Sequence, residues 1–175
     1  MTEKALKSLD LKGKLVAVYS RCDEPEVFDV GYITDITDTF VLLYAVDEYG
    51  NYDGYCLRLT ENIYRLETDS LYLRAIPATE DMERGKTDFG NYGKTFREVF
   101  EKLRASNEMF VAELFNDRRN SICGYVDNVT DETLTVDEID GYGNADGQTV
   151  VLIDDISAIW TDTRDIKKLK RIECR

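Results

Sequence analysis

The chain has 175 residues, of which 43% are hydrophobic and 11% aromatic, and its formal net charge is −13. This apolar content is enough to build a core, so the charge indicates an acidic globular surface rather than disorder. The sequence contains no histidine. That absence excludes Ser/His and Cys/His nucleophilic systems and histidine-ligated metals.

One stretch of the sequence occurs twice. Shifting residues 31–76 by 93 positions aligns them without a gap on residues 124–169, and 14 of the 46 pairs are identical. Each repeat unit is close to the lower size limit for an independent core. We therefore predict a first domain at 1–76, a linker at 77–93 and a second domain at 94–175.

The first unit is predicted to be a helix followed by strands. The spacing of Ala5, Leu6 and Leu9 indicates a short amphipathic helix over residues 2–9, and period-two alternation indicates strands after it. These strands are expected at 15–20, 27–37, 39–47, 55–60 and 63–68. Residues 77–93 contain one proline, three glycines and no apolar period, which is typical of a linker.

The second unit repeats this pattern. Phe96, Val99, Phe100 and Leu103 form an apolar stripe, which predicts a helix over 94–105. Strands are expected at 109–115, 121–129, 133–139, 149–153 and 156–161, and a basic helix at 165–175. Gly31 and Gly124 lie inside the long second strand of each unit, where a glycine allows a sharp bend or bulge.

A helix followed by five bent strands, with a glycine in the second strand, resembles the Sm/LSm-like small β-barrel. The matching positions are Gly31, Ile33, Leu57, Leu59, Ile63 and Leu66, with Gly124, Val126, Val150, Leu152, Ile156 and Ile159 in the second copy. The resemblance implies a mainly β fold with short helices (α+β). It implies two Sm-like or SH3-like five-stranded barrels in tandem, each preceded by a helix. Because family members form rings, the resemblance also allows a homo-oligomer.

The resemblance does not extend to the pocket with which the family binds RNA. The places of its Asp and Asn residues fall on Thr37 and Val41, and in the second copy on Thr130 and Leu134. In addition, residues 15–76 carry a net charge of −8 and residues 108–163 one of −11. Such surfaces repel phosphate, so nucleic acid is not the expected ligand.

The best-preserved pieces of the repeat are two glycine-rich sequences, residues 47–54 and 140–147. Their spacing fails the EF-hand pattern, which leaves no predicted metal site, and Gly, Asn and Asp in this order are typical of a tight hairpin. The candidate partner-binding residues are side chains of these loops: Tyr49, Asn51, Tyr52, Asp53, Tyr142, Asn144 and Asp146.

Four cysteines, Cys22, Cys56, Cys123 and Cys174, show no CxxC spacing and are interpreted as reduced thiols. No segment has the length or apolarity of a signal peptide or a membrane span. These features predict a cytoplasmic protein that does not contact a membrane. No motif indicates a cofactor or a catalytic residue.

The first functional hypothesis is therefore a non-enzymatic interaction or scaffold protein. One form of it is an acidic inhibitor or immunity-type protein that covers a basic partner surface. A second hypothesis is an Sm-like protein that binds RNA through its basic helices and residues 164–175. A third is a small-ligand sensor or enzyme with a site between the two barrels.

Overall fold

The computed structural model describes residues 1–21, 24–88, 91–115 and 121–173, and the chain divides into two compact units, Met1–Asn91 and Tyr92–Arg175. The elements of the first unit are α1 (Glu3–Ser8), β1 (Leu15–Tyr19), β2 (Asp29–Ile36), β3 (Phe40–Val46), β4 (Tyr52–Leu59), β5 (Arg65–Thr68), α2 (Leu71–Ala75) and α3 (Glu80–Gly85). Those of the second are α4 (Phe96–Ser106), β6 (Phe110–Leu114), β7 (Ile122–Val129), β8 (Thr133–Ile139), β9 (Ala145–Leu152), β10 (Ile156–Thr161) and α5 (Arg164–Glu173).

The predicted helices and strands are all found, with starts that differ from the prediction by at most four residues. Two helices were missed, α2 and α3. The segment 77–93, predicted as a linker, includes α3, whose Met82 is buried. Thr79 begins this helix by accepting a hydrogen bond from the backbone N–H of Met82.

The strands of each unit form an open antiparallel sheet. The strand order is β5-β1-β2-β3-β4 in the first unit and β10-β6-β7-β8-β9 in the second. The prediction of two Sm-like or SH3-like closed barrels in tandem is therefore wrong. Closure would require β4 to pair with β5, but a 3-10 turn at Thr60–Asn62 carries the chain away from β4, and β5 pairs with β1.

The first sheet is covered on one face by α2 and α3. Leu73 of α2, Met82 of α3 and Ile76, which directly follows α2, form a buried cluster with residues of β1, β2 and β3. Every residue of β3 is buried, which is the pattern of a strand covered on both faces.

The second unit packs its sheet against α4, as the apolar stripe predicted. Phe96, Val99, Phe100 and Leu103 are all buried. The helix begins at Thr95, whose hydroxyl accepts a hydrogen bond from the Glu98 N–H, and it ends at Asn107 in the left-handed conformation.

The two repeated glycines permit a close approach of neighbouring strands. A Cβ atom on Gly31 would overlap the carbonyl oxygen of Tyr44, and one on Gly124 would overlap that of Asp137. Neither glycine has a positive φ, so the requirement is for space and not for an unusual backbone angle. This space sets the distance from β2 to β3 and from β7 to β8.

A buried ion pair joins β2 to β4 in the first unit. Both Nε and Nη2 of Arg58 lie 2.8 Å from Oδ2 of Asp29, and the two side chains are 1% and 9% exposed. The repeat places Ile122 and Val151 at the equivalent positions of the second unit. The same location is thus ionic in one unit and apolar in the other.

Gly124→Ala should lower the free energy of unfolding by about 1–3 kcal/mol, because the added methyl group meets backbone that cannot move aside easily. Gly141→Ala is the matched control, since a Cβ atom there has no neighbour within 4 Å and φ is not positive. Urea unfolding followed by circular dichroism measures both. Equal stability of the two variants would contradict the close approach.

Arg58→Val or Asp29→Ile alone should destabilise the protein by about 3–5 kcal/mol, because each leaves one buried charge without its partner. The double variant copies the apolar pair of the second unit. It should lower the free energy of unfolding by far less than the sum of the losses in the two single variants. Lys7→Ala, which breaks an exposed ion pair with Glu3, should change the stability much less, because both partners are solvated. Additive losses in a double-mutant cycle would contradict the coupling.

Candidate protein-interaction surface

The two repeated loops connect β3 to β4 and β8 to β9, and an aspartate closes each one. Oδ1 of Asp47 accepts hydrogen bonds from the backbone N–H groups of Tyr49 at 2.9 Å and Asn51 at 2.8 Å. Oδ1 of Asp140 accepts the same bonds from Tyr142 and Asn144, both at 2.8 Å. The preserved aspartates therefore hold the turns together.

The asparagines of these loops also have a role inside the turn. The Nδ2 group of Asn51 donates to Asp47 at 3.2 Å, and that of Asn144 donates to Asp140 at 3.1 Å. Hydrogen bonds from the backbone and side chain of Asn144, followed by those from nearby backbone N–H groups, lower the pKa of the Asp140 carboxyl. The loop sequence is thus explained by turn geometry, without a metal.

In the first unit the loop is docked against the segment that includes α3. The backbone N–H of Tyr52 donates to Oδ2 of Asp81 at 3.0 Å, and the Tyr52 ring lies 4.5 Å from the ring of Tyr44. Asp53 is half-buried. Of the four residues predicted here as partner-binding, only Tyr49 and Asn51 are exposed, and Asn51 is engaged in closing the loop.

In the second unit the equivalent loop is open. Tyr142 is 80% exposed, and Asn144 and Asp146 are exposed as well. A Cβ atom built on Gly50 of the first loop would overlap the carbonyl oxygen of Pro77, whereas Cβ atoms built on Gly141 and Gly147 of the second loop have no neighbour within 4 Å. Two loops of nearly the same sequence therefore present different surfaces.

The exposed surface of the second loop continues along β9. Val150 is 64% exposed and Leu152 is 50% exposed, although both are apolar. Their repeat equivalents in β4 are less accessible: Leu57 is fully buried and Leu59 is half-buried. The sequence analysis matched Val150 and Leu152 only to positions of the small β-barrel and did not identify them as exposed.

The residues of β8 that pair with β9 show that this part of the face of the second sheet is partly or fully exposed. Leu152, Val150 and Gln148 pair with β8 residues that are polar and partly or fully exposed, namely Thr133, Thr135 and Asp137. The equivalent residues of the first unit are the buried Phe40, Leu42 and Tyr44. We call this solvated strip, formed by Tyr142 and the outward residues of β8 and β9, the β9 surface.

The β9 surface lies in the most acidic part of the chain. Residues 131–155 carry eight acidic side chains and no basic one. Asp137, Asp146 and Asp154 are exposed. Two exposed aliphatic side chains surrounded by negative charge are suited to a partner that has both apolar and basic groups.

The cysteines that the structure describes are not set up for nucleophilic chemistry. Burial, with a smaller contribution from the nearby Glu138 carboxylate, raises the pKa of the Cys123 thiol to about 11. Cys56 is buried, and its Sγ lies 3.9 Å from Oδ2 of Asp29. Cys22 and Cys174 lie outside the described residues.

Among the described residues, no group of three His, Cys, Asp or Glu side chains is placed to hold a metal ion.

An open groove of about 470 Å³ lies in the first unit between α1, β2 and the end of α3. Lys7, Lys86 and Asp88 line it. Lys7 binds Glu3, Lys86 binds Glu83, and Asp88 accepts a hydrogen bond from the Tyr55 hydroxyl at 2.8 Å. The charged groups of Lys7, Lys86 and Asp88 are thus each engaged with a neighbouring residue.

Comparison with protein-family models, with curated proteins and with solved structures finds no match to this chain. The Sm-like resemblance thus has no support from a family model. Within the described residues, none of the helices combines the length and the apolarity needed to cross a membrane.

Alkylation of Cys123 by iodoacetamide at pH 8 should be roughly hundredfold slower in the folded protein than in urea, because the raised pKa leaves little thiolate. The rate should continue to rise up to about pH 11, whereas that of the unfolded chain levels off earlier. Mass spectrometry of the Cys123 peptide measures both rates. Equal rates at pH 8 would contradict the pKa shift.

Proposed function

We propose that this is a non-enzymatic cytoplasmic protein that binds another, basic protein through the β9 surface of its second unit. The observation that carries the proposal is the exposure of Val150 and Leu152 on β9, where the repeat equivalent Leu57 is buried. Burial of exposed aliphatic side chains is a main source of binding free energy.

The charge around the β9 surface supports a basic partner. The eight acidic side chains of residues 131–155 attract positive charge and repel phosphate. Long-range attraction of this kind speeds association and makes it sensitive to salt. An inhibitor or immunity-type protein that covers a basic surface is one form of this activity.

The competing hypothesis is RNA binding through α5, which carries Lys167, Lys168, Lys170 and Arg171. The experiment below distinguishes it from protein binding.

Replacing Val150 and Leu152 together by serine should weaken partner binding at least about tenfold, because burial of an aliphatic side chain is worth about 1.5–3 kcal/mol and about 1.4 kcal/mol is tenfold in affinity. The matched control is Leu71→Ser, which removes a leucine side chain that is 82% exposed in the first unit and should bind as the wild type does. The partner is captured from cytosol by cross-linking to the full chain, and its affinity for each variant is then measured by calorimetry.

The dependence on salt provides the second readout. Association of the wild type should slow steeply between 50 mM and 500 mM sodium chloride, and Asp146→Asn with Asp154→Asn should reduce that dependence. Recovery of RNA alone would overturn the proposal in favour of the competing hypothesis. Unchanged affinity of the Val150→Ser, Leu152→Ser variant would show that the β9 surface is not the contact.

A further inference from the structure

The backbone of β9 has one side without a strand. Within the described residues β9 pairs only with β8, and it stands at the end of the strand order. The N–H of Ile153 donates to the carbonyl of Glu132 at 2.9 Å, and the register aligns these two residues opposite each other. They therefore form a hydrogen-bonded pair at the end of the β8–β9 ladder.

This pair fixes the direction of the other backbone groups of β9. In an antiparallel ladder, hydrogen-bonded pairs alternate with pairs whose N–H and C=O groups point outward. Val151 and Thr149 bond to β8, so the N–H and C=O groups of Gln148, Val150 and Leu152 point away from it. The residues with exposed aliphatic side chains are also those with outward backbone groups.

β9 has a bulge near Asp146 and Gly147, where the register to β8 shifts, but its residues 148–152 lack the other features that usually prevent strand addition. Edge strands are commonly protected by lysine, proline or a short length. Residues 145–152 contain no Lys, Arg or Pro, and β9 is eight residues long. The edge strand β5 of the first unit differs, since it has four residues and includes Arg65 and Glu67.

The charge indicates what kind of chain would add to this edge. A second copy of the protein would bring two edges of the acidic region 131–155 together, and each copy has a net charge of −13. A segment that alternates apolar residues with Lys or Arg suits the edge better. Its apolar side chains would lie beside Val150 and Leu152, and its basic ones would reach the surrounding carboxylates, including Asp146 and Asp154.

We infer that the partner binds by β-strand addition, in which an extended segment with alternating aliphatic and basic residues pairs with β9. This inference rests on the proposed function and specifies how its partner is held. Main-chain hydrogen bonds to Gln148, Val150 and Leu152 provide the shared geometry, and the side chains and carboxylates provide the selectivity.

The inference is tested with a synthetic peptide, acetyl-(Lys-Val)4-amide, and the isotope-labelled full chain. Binding should slow hydrogen exchange at the amides of Gln148, Val150 and Leu152 and leave those of β5 unchanged. The peptide (Glu-Val)4 should bind at least tenfold more weakly at low salt. A (Lys-Val)4 peptide that is N-methylated at its valines should also bind about tenfold more weakly, because it lacks the backbone donors on the edge that would face β9.

A variant of the protein tests the same hydrogen bonds by removing a donor from β9 rather than from the peptide. Val150→Pro removes one outward N–H and keeps the residues that bond to β8, whereas Val150→Thr keeps the N–H and is the matched control. The proline variant should lose binding and the threonine variant should retain most of it. If the proline variant does not fold, the N-methylated peptide still decides.

Three outcomes would overturn strand addition: equal binding of the N-methylated peptide, protection of amides outside β9, or self-association of the wild type through β9. A natural partner that is sensitive to Val150→Ser and Leu152→Ser but does not protect the β9 amides would also overturn it, while leaving the proposed function intact. Insensitivity of that partner to the serine variant would instead overturn the proposed function itself.

Discussion

The close approach of two strands at a glycine is the constraint on which both units depend. At Gly31 and Gly124 a side chain would overlap the carbonyl of the neighbouring strand. The register pairs Gly31 with Ala45 and Gly124 with Glu138, and in both units it shifts farther along the ladder, between Ile33 and Asp35 and between Val126 and Asn128. The positions of the buried and exposed side chains in the two sheets follow from this pairing.

The two units share a strand register but differ in whether one face of the sheet is covered. In the first unit the face that carries Tyr44 is covered by α2 and α3. In the second unit the equivalent face has Thr133, Thr135 and Asp137, which are compatible with water. Val150 and Leu152 are apolar side chains exposed among these polar ones, and they are the basis of our proposal for a partner.

Local patterns were sufficient to predict the strands and the helices α1, α4 and α5, but not α2 and α3, how the sheet ends or what covers it. The strands follow from the alternation of apolar and polar residues, and α4 follows from the apolar stripe of Phe96 to Leu103. Closure of a barrel depends instead on whether two strands that are distant in the sequence pair with each other. The exposure of the second sheet did have a signal, since residues 40–46 are continuously apolar and residues 133–139 alternate. The α3 helix has only Met82 as its buried apolar residue, too little to give a period.

The ion pair between Asp29 and Arg58 bears on how the two halves of the gene can evolve. Exchange of sequence between similar repeats usually keeps them alike. Here a crossover between β2 and β4 would combine Asp29 with a valine, or Arg58 with an isoleucine, and bury a lone charge. Such recombinants would fold poorly and be removed by selection, so the pair protects the divergence that left one unit covered and the other open.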